Sequence, residues 1–280
     1  MVTIRYFTPA PQLRRYISSY YWFEAEAPFT DLIRAELPQV RFRVRGTCTF
    51  RFGGGGIEAC PEVMLSGPTA APVEFSTQGP LTAFGAGLLP AGWAALIGAD
   101  ADAHADALVD FRDIDAVAAV TCLDQLASAA DDTMRVAAAD RFFTKLAASA
   151  HAVPYWFTDM TDSWLTASTS PQVDTLVARS GLCSRQIERL SRRIYGGAPK
   201  LMSRKYRALQ AAVRLGNGDA HNWSEAAGDA FYDQSHFIRE FKTFVGLTPS
   251  RFAVEAAPIS RLTIARRAQL PNMPRLALFS

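Results

Sequence analysis

The chain has 280 residues, 49% of them hydrophobic and 20% charged, with a formal net charge of +2. That is the composition of a folded globular protein long enough for two domains, and it excludes a disordered or low-complexity chain. No apolar run reaches the roughly 18 residues of a membrane span, and "MVTIRYFTPAPQLRRYISSYYWFEAE" lacks the apolar segment of a secretory signal. No membrane partner is therefore expected, and a cytoplasmic location is. Cys48, Cys60, Cys122 and Cys183 form no C-x-x-C pair, and His104, His151, His221 and His236 are scattered, so no zinc motif is present. The thiols are expected to be buried and reduced; no cofactor, metal or catalytic residue is predicted.

Residues 1–112 read as β-rich. "VRFRV" (40–44) and "TCTFRF" (47–52) alternate apolar and polar residues, as half-buried strands do. Gly53–Gly56 then breaks the pattern as a hairpin connection into "IEACPEVML". Neither the Lys-Ser/Thr ending of a phosphate loop nor the G-x-G-x-x-G spacing is there. Turn signals at Ser66-Gly67-Pro68 and Gln78-Gly79-Pro80 suggest a barrel or sandwich. Residues 90–114 switch to a short helix and an acidic loop that lacks the Gly and Glu of a calcium loop. Tyr20, Tyr21, Trp22, Phe50, Phe52 and Trp93 are weak candidates for an effector pocket, with core packing as the competing reading. From 115 to 150 the chain is Ala-rich and helical, with Val117, Val120, Leu123 and Leu126 at three-residue steps and Val136, Phe142, Phe143 and Leu146 beyond. This segment is expected to pack on the β domain or to form a homodimer contact. "TDSWLTASTSP" (161–171) reads as a linker.

The second part differs in charge. Residues 171–280 hold 17 Lys/Arg against 8 Asp/Glu, a net of +9, whereas residues 1–170 net −7. Such asymmetry suggests a basic part that meets a polyanion. "QVDTLVARSGL" (172–182) places Val173, Leu176 and Val177 on one helical face and ends at Gly181, suited to a left-handed turn. Ser184 is the expected N-cap of "SRQIERLSRRIY", whose stripe is Ile187, Leu190 and Ile194. A helix, a Gly-containing turn and a second helix make a helix-turn-helix. The pattern recurs in "WSEAAGDAF" (223–231) and Gln234–Val245, capped by Asp233, closed by Gly246, with Phe237, Phe241 and Phe244 inward. Between them "PKLMSRKYRALQAAVRL" (199–215) has no internal breaker and reads as a linker helix of roughly 25 Å, a spacer between two reading helices.

"SGLCSRQIERLSRRIYGGAPKLMSRKYR" and "DAFYDQSHFIREFKTFVGLTPSRF" resemble the twin helix-turn-helix domain of the AraC/XylS family of bacterial transcription regulators. The likeness covers about 170–253; residues 1–150 resemble more loosely the β-rich sensory domain found before it. Ala230 departs from the family's Gly, and Ser191 from a large apolar residue. The resemblance implies an α+β chain: a cupin-like β-barrel effector domain (1–114), a helical segment (115–160), a linker (161–171), a twin helix-turn-helix domain (172–256) and a basic tail (257–280). It implies double-stranded operator or promoter DNA as partner, a small-molecule effector, RNA polymerase and a homodimer as further partners, and no enzymatic activity. Base contacts are expected from Arg185, Glu188 and Arg189 in the first reading helix and Gln234, Ser235 and Arg239 in the second, since Arg pairs with guanine, Glu with cytosine and Gln with adenine. Phosphate contacts are expected from Ser184, Arg192, Arg193, Lys200, Lys242 and Arg251. His236 is expected to pack locally. Two alternatives are a DNA-repair-type enzyme using Cys60 as an alkyl acceptor, and a member of the fold that has lost DNA binding and acts by protein interaction.

Overall fold

A computed structural model describes residues 1–220, 222–255 and 258–280; His221 lies outside the described residues. Strands β1 (Val2–Phe7), β2 (Ile17–Ala25), β3 (Phe29–Ile33), β4 (Gln39–Arg45), β5 (Cys48–Phe52), β6 (Ile57–Ala59), β7 (Val63–Ser66), β8 (Val73–Thr77), β9 (Leu81–Leu88) and β10 (Leu108–Asp110) build two antiparallel sheets. Their orders are β1-β2-β9-β4-β7-β10 and β3-β8-β5-β6. The alternating segments at 40–44 and 47–52 are β4 and β5. They part into different sheets at Gly46, whose φ of 81° suits glycine. Gly53–Gly56 connects β5 to its antiparallel partner β6, as expected.

The six-stranded sheet is buried on both faces, so β2 reads as a nearly continuous apolar run. Tyr21 and Phe23 face the four-stranded sheet in one core with Cys48, Phe50 and Phe75. Tyr20 and Trp22, one residue out of step, face a second core formed with the helices that follow. A single turn, α1 (Pro90–Gly92), runs into a π-helical turn (Trp93–Ile97); α2 (Arg112–Ser128) and α3 (Asp132–Ala148) then form a hairpin on this outer face. The buried side of α2 is Ala118, Ala119, Cys122 and Leu126, while Val117 is 72% exposed. Steps of three slide around a helix of about 3.6 residues per turn, so Val117 and Leu126 fall on opposite sides.

The expected linker at 161–171 is corrected. Residues 161–167 are the end of α4 (Tyr155–Ala167), where Phe157, Thr161, Trp164 and Leu165 are buried on one side, and Trp164 Nε1 donates to Gln172 O at 2.8 Å. The spacing of its apolar groups, not its small polar composition, decides its structure. Helices α5 (Val173–Ser180), α6 (Ser184–Tyr195), α7 (Pro199–Asn217), α8 (Trp223–Ala227), α9 (Gln234–Val245) and α10 (Pro249–Glu255) follow. The spacer α7 is the core of this part, burying ten of its residues.

Of the basic residues 257–280, expected as a tail of open role, 258–280 fold back between the two parts as α11 (Pro258–Arg267) and α12 (Arg275–Phe279). Leu276 and Ala277 join the core around Trp164 and Tyr206. The Ile259 N–H donates to Asp31 Oδ2 at 2.8 Å, fixing the start of α11 on the β domain. Among the described residues no helix is long and apolar enough to cross a membrane.

Candidate nucleic-acid interface

Each helix-turn-helix is set by local chemistry. In the first, α5 ends at Gly181 (φ 67°), where an added Cβ would meet no neighbour, so the glycine serves the backbone conformation alone. The cap of α6 is corrected by one residue. Cys183 is the N-cap, its N–H donating to Gln186 Oε1 at 3.1 Å, and Ser184 is the first helical residue. Ile187 and Ile194 are buried, and Ser191, which departs from the large apolar residue expected there, donates its hydroxyl to Gly197 O at 2.7 Å. The Tyr195 hydroxyl reaches Asp162 Oδ1 at 2.6 Å, anchoring the end of α6 on α4.

In the second unit, Asn222 Oδ1 caps α8 by accepting from Glu225 N at 2.9 Å, and Asp233 Oδ1 caps α9 by accepting from His236 N at 2.8 Å. The expected helix at 223–231 is shorter: α8 gives way to a 3-10 turn at Gly228–Ala230. The positive φ in this turn falls at Gly228 (50°), so alanine at position 230 meets no left-handed requirement. Phe237, Phe241 and Phe244 are fully buried, and α9 closes at Gly246 (φ 91°). His236 packs edge-to-face on Phe231, with centroids 5.8 Å apart, in line with a local role.

Helix α7 holds both units. Arg204 grips Glu240 of α9 with Nε and Nη2 at 2.8 and 2.7 Å. Arg207 Nη1 donates to Ala230 O at 3.0 Å, and Arg214 to Ala226 O, so two further arginines satisfy carbonyls of the second turn. On the first unit's side, Ser203 Oγ donates to Pro171 O at 2.6 Å and Gln210 Nε2 to Leu165 O at 3.0 Å. These α7 groups escaped the sequence reading, which took the breaker-free helix for a spacer.

The expected DNA-facing residues are outward. Arg185, Glu188, Arg189, Arg192 and Arg193 are exposed on α6, Gln234, Ser235, Arg239 and Lys242 on α9, and Ser184, Lys200 and Arg251 near the helix starts. Arg185, Glu188, Arg189 and Arg192 border one surface groove along α6. Within it Arg192 Nε and Nη2 donate to Glu188 Oε1 at 3.0 and 2.8 Å. An exposed pair of this spacing contributes only about 0.3–0.5 kcal/mol, so Glu188 is readily released to a base. A second cleft is bordered by Lys200 and Arg204 of α7, Asp174 of α5 and His236 of α9, so α5 and α9 meet along one stretch of α7.

The β domain contains an apolar cavity of about 70 Å³ between its sheets, walled by Tyr6, Tyr21, Phe23, Phe50 and Phe75 and closed by α11. Of the predicted effector residues only Phe50 and Tyr21 line it. Tyr20, Trp22 and Trp93 belong to the other core: Tyr20 OH donates to Asp140 at 2.9 Å, Arg135 covers the Trp22 ring, and Trp93 Nε1 donates to Ala99 O. Strand parity decides this, because residues 20 and 22 share one face and 21 and 23 the other. At one end of the cavity Arg41 Nε donates to Tyr21 OH at 2.7 Å, and Arg41 pairs with Glu36. Arg34 and Arg267 converge on an oxygen of Ser280, and the Nε of each is buried and unsatisfied. Burial, with Arg267 adding to it, pushes Arg34 down to about 10. Among the described residues no group of three or more His, Cys, Asp or Glu is placed to hold a metal. Cys60, the alternative alkyl acceptor, is buried beside Cys48, away from the exposed cationic faces.

No protein-family model matches the chain, and no curated protein matches it. Solved structures of ToxT from Vibrio cholerae are similar in fold. One shares 8% identity at a TM-score of 0.48, over 84% of this chain and 97% of that one. A ToxT structure described as bound to an unsaturated fatty acid shares 8% identity at 0.49, over 90% and 94%. A cupin superfamily protein from Desulfitobacterium hafniense is similar over 31% of this chain and 77% of that one, with 7% identity and a TM-score of 0.22.

Proposed function

We propose that the chain is a sequence-specific DNA-binding transcription regulator whose β domain takes a small-molecule effector. The observation that carries the reading is the pair of capped helix-turn-helix units held by one 19-residue helix, each turning a cationic, solvent-exposed face outward. At about 1.5 Å per residue α7 is roughly 28 Å long. With its flanking turns it suits two helices entering successive major grooves about 34 Å apart. Arg185, Arg189 and Arg239 then address bases, with Gln234, Ser235 and Glu188, while Arg192, Arg193, Lys200, Lys242 and Arg251 hold phosphates.

The effector belongs to the class the cavity's chemistry admits: a small apolar molecule with an anionic group. Aromatic walls favour the apolar part, and the buried, unsatisfied Nε atoms of Arg34 and Arg267 favour an anion. Its signal has a short route. Arg34 of the cavity precedes Ala35, whose N–H donates to Phe244 O at the end of α9 at 2.8 Å. Glu36 O accepts from Lys205 Nζ of α7 at 3.0 Å.

A mobility-shift assay against DNA upstream of the chain's own and neighbouring genes tests the reading. A retarded complex with one such fragment is expected, its affinity falling steeply with salt. Arg189→Ala is expected to weaken it by about 1–3 kcal/mol. Equal binding to all fragments at every salt concentration, or an unaffected Arg189→Ala, would remove the sequence-reading role.

A further inference from the structure

Cys48 opens β5 and Cys60 directly follows β6. The register Thr49↔Ala59, Phe50↔Glu58, Arg51↔Ile57 sets Cys48 opposite Cys60, and the Cys60 N–H donates to Cys48 O at 3.0 Å. Opposed residues project to the same face of a sheet. A hydrogen-bonded antiparallel pair holds its Cα atoms about 5.5 Å apart, inside the roughly 4.4–6.8 Å that a disulfide spans. Both thiols are free and buried. Cys48 borders the cavity, and β6 is a three-residue exposed edge strand with room to adjust.

We propose that Cys48 and Cys60 form a dithiol modification site, which a small hydroperoxide entering the cavity converts to an intramolecular disulfide. The cavity, at about 70 Å³, exceeds the roughly 10–15 Å³ a water-sized molecule requires. The Cys60 S–H holds the Cys48 thiol below its ordinary range; burial opposes this, and Arg43 and Arg41 assist it. Cys48, which borders the cavity where Cys60 does not, is therefore the attacking sulfur. Its thiolate attacks one peroxide oxygen, the O–O bond breaks, and the departing oxygen takes a proton as water or alcohol, leaving a sulfenic acid. The Cys60 sulfur then attacks that sulfur, the S–S bond forms, and hydroxide leaves with the Cys60 proton as water. Two thiols are oxidised and one peroxide reduced. Cys122 has no partner thiol, and burial pushes it up to about 12; Cys183 is exposed and alone.

The test uses the full chain treated with hydrogen peroxide, quenched, denatured and alkylated, then digested for mass spectrometry. The expected product is a linked pair of peptides carrying Cys48 and Cys60, lighter by two hydrogens and restored by dithiothreitol, with Cys122 still alkylated. Its persistence in Cys183→Ser excludes exchange through the exposed thiol. In Cys60→Ser a sulfenic acid at Cys48 should be captured by a cyclic dione. If Cys48 and Cys60 both alkylate after an exposure that oxidises Cys183, or Cys48 proceeds to sulfinic acid unlinked, the proposal is overturned. Linkage in the wild type without dione capture in Cys60→Ser would overturn the assignment of Cys48 as the attacking sulfur.

Discussion

Arg204→Ala is the sharpest perturbation of the way α9 is held. The pair it breaks is bidentate, at 2.7 and 2.8 Å, and the Glu240 side chain is 8% exposed against 38% for Arg204. Burial pushes the Glu240 carboxyl up, but the Arg204 guanidinium outweighs it and holds the carboxyl below its usual range. Removing one partner of a fully buried pair costs about 3–5 kcal/mol, and of an exposed pair about 0–1. With one partner buried and the other partly solvated, we expect about 2–3 kcal/mol, read by urea unfolding at neutral pH. Most of that is the stranded carboxylate, so Arg204→Met with Glu240→Met should recover most of it. The sign with pH follows. Glu240 has a depressed native pKa, so the pair's contribution is full above the unfolded carboxylate pKa and is lost as pH falls through the native one. Wild type and Arg204→Ala should therefore converge in acid. A variant within about 0.5 kcal/mol of wild type at neutral pH, or a double variant no better than the single, would refute the assignment of this pair as the clamp on α9.

Three further outcomes are expected. Gly181→Ala, at φ 67° with open space around it, should cost about 1–2 kcal/mol in unfolding experiments through backbone conformation alone. Burial pushes Asp162 up to about 7, with the Tyr195 hydroxyl partly offsetting it. The native state then takes up a proton that the unfolded chain, near 3.8, does not, so stability should decline as pH rises between those values. Asp162→Asn should remove that slope from a pH series of melting curves. A short aliphatic carboxylate should raise the melting temperature of the wild type but not of Arg34→Ala, as a ligand seated on the buried arginines must.

Legibility in the sequence tracked how many positions each feature fixes at once. The reading helices were visible because stripe, cap and stop recur together: Phe237, Phe241 and Phe244 with Asp233 before and Gly246 after. Features resting on a single step were missed. The N-cap of α6 moved one residue because cysteine is an unusual cap, its role filled by the Gln186 side chain reaching back. The cavity wall moved one residue along β2 because a strand buried on both faces gives no alternation to choose between Tyr20 and Tyr21. The α2 stripe misled because alanine and cysteine, not valine, make its contact. The folding back of 258–280 had no local signal, since its partners on the β domain, Asp31 and Arg34, lie more than two hundred residues away.

The segment Arg34-Ala35-Glu36-Leu37 shows why such links escape a sequence reading and why they bear on function. Each residue makes a contact outside the two sheets. Arg34 holds Thr263 and the Ser280 oxygen beside the cavity. Ala35 N–H holds the end of α9. Glu36 pairs with Arg41 in the cavity wall while its carbonyl accepts from Lys205 of α7. Leu37 N–H donates to Ser280 Oγ. Three of these contacts use main-chain groups, which every residue type carries, so no motif marks them. The buried Lys205 ammonium donates to two carbonyls, Glu36 O and Thr69 O, and burial lowers it to about 8. It is a costly clasp, and it holds only while both carbonyls keep their places. A displacement of Arg34 by a ligand of the cavity thus acts, within two residues, on the position of α9 and on the solvation of a charge in α7. This short extended segment is one physical link between the β domain and helices α7 and α9, alongside the contacts of α11 with β1 and β3 and of α6 with residues 101–104.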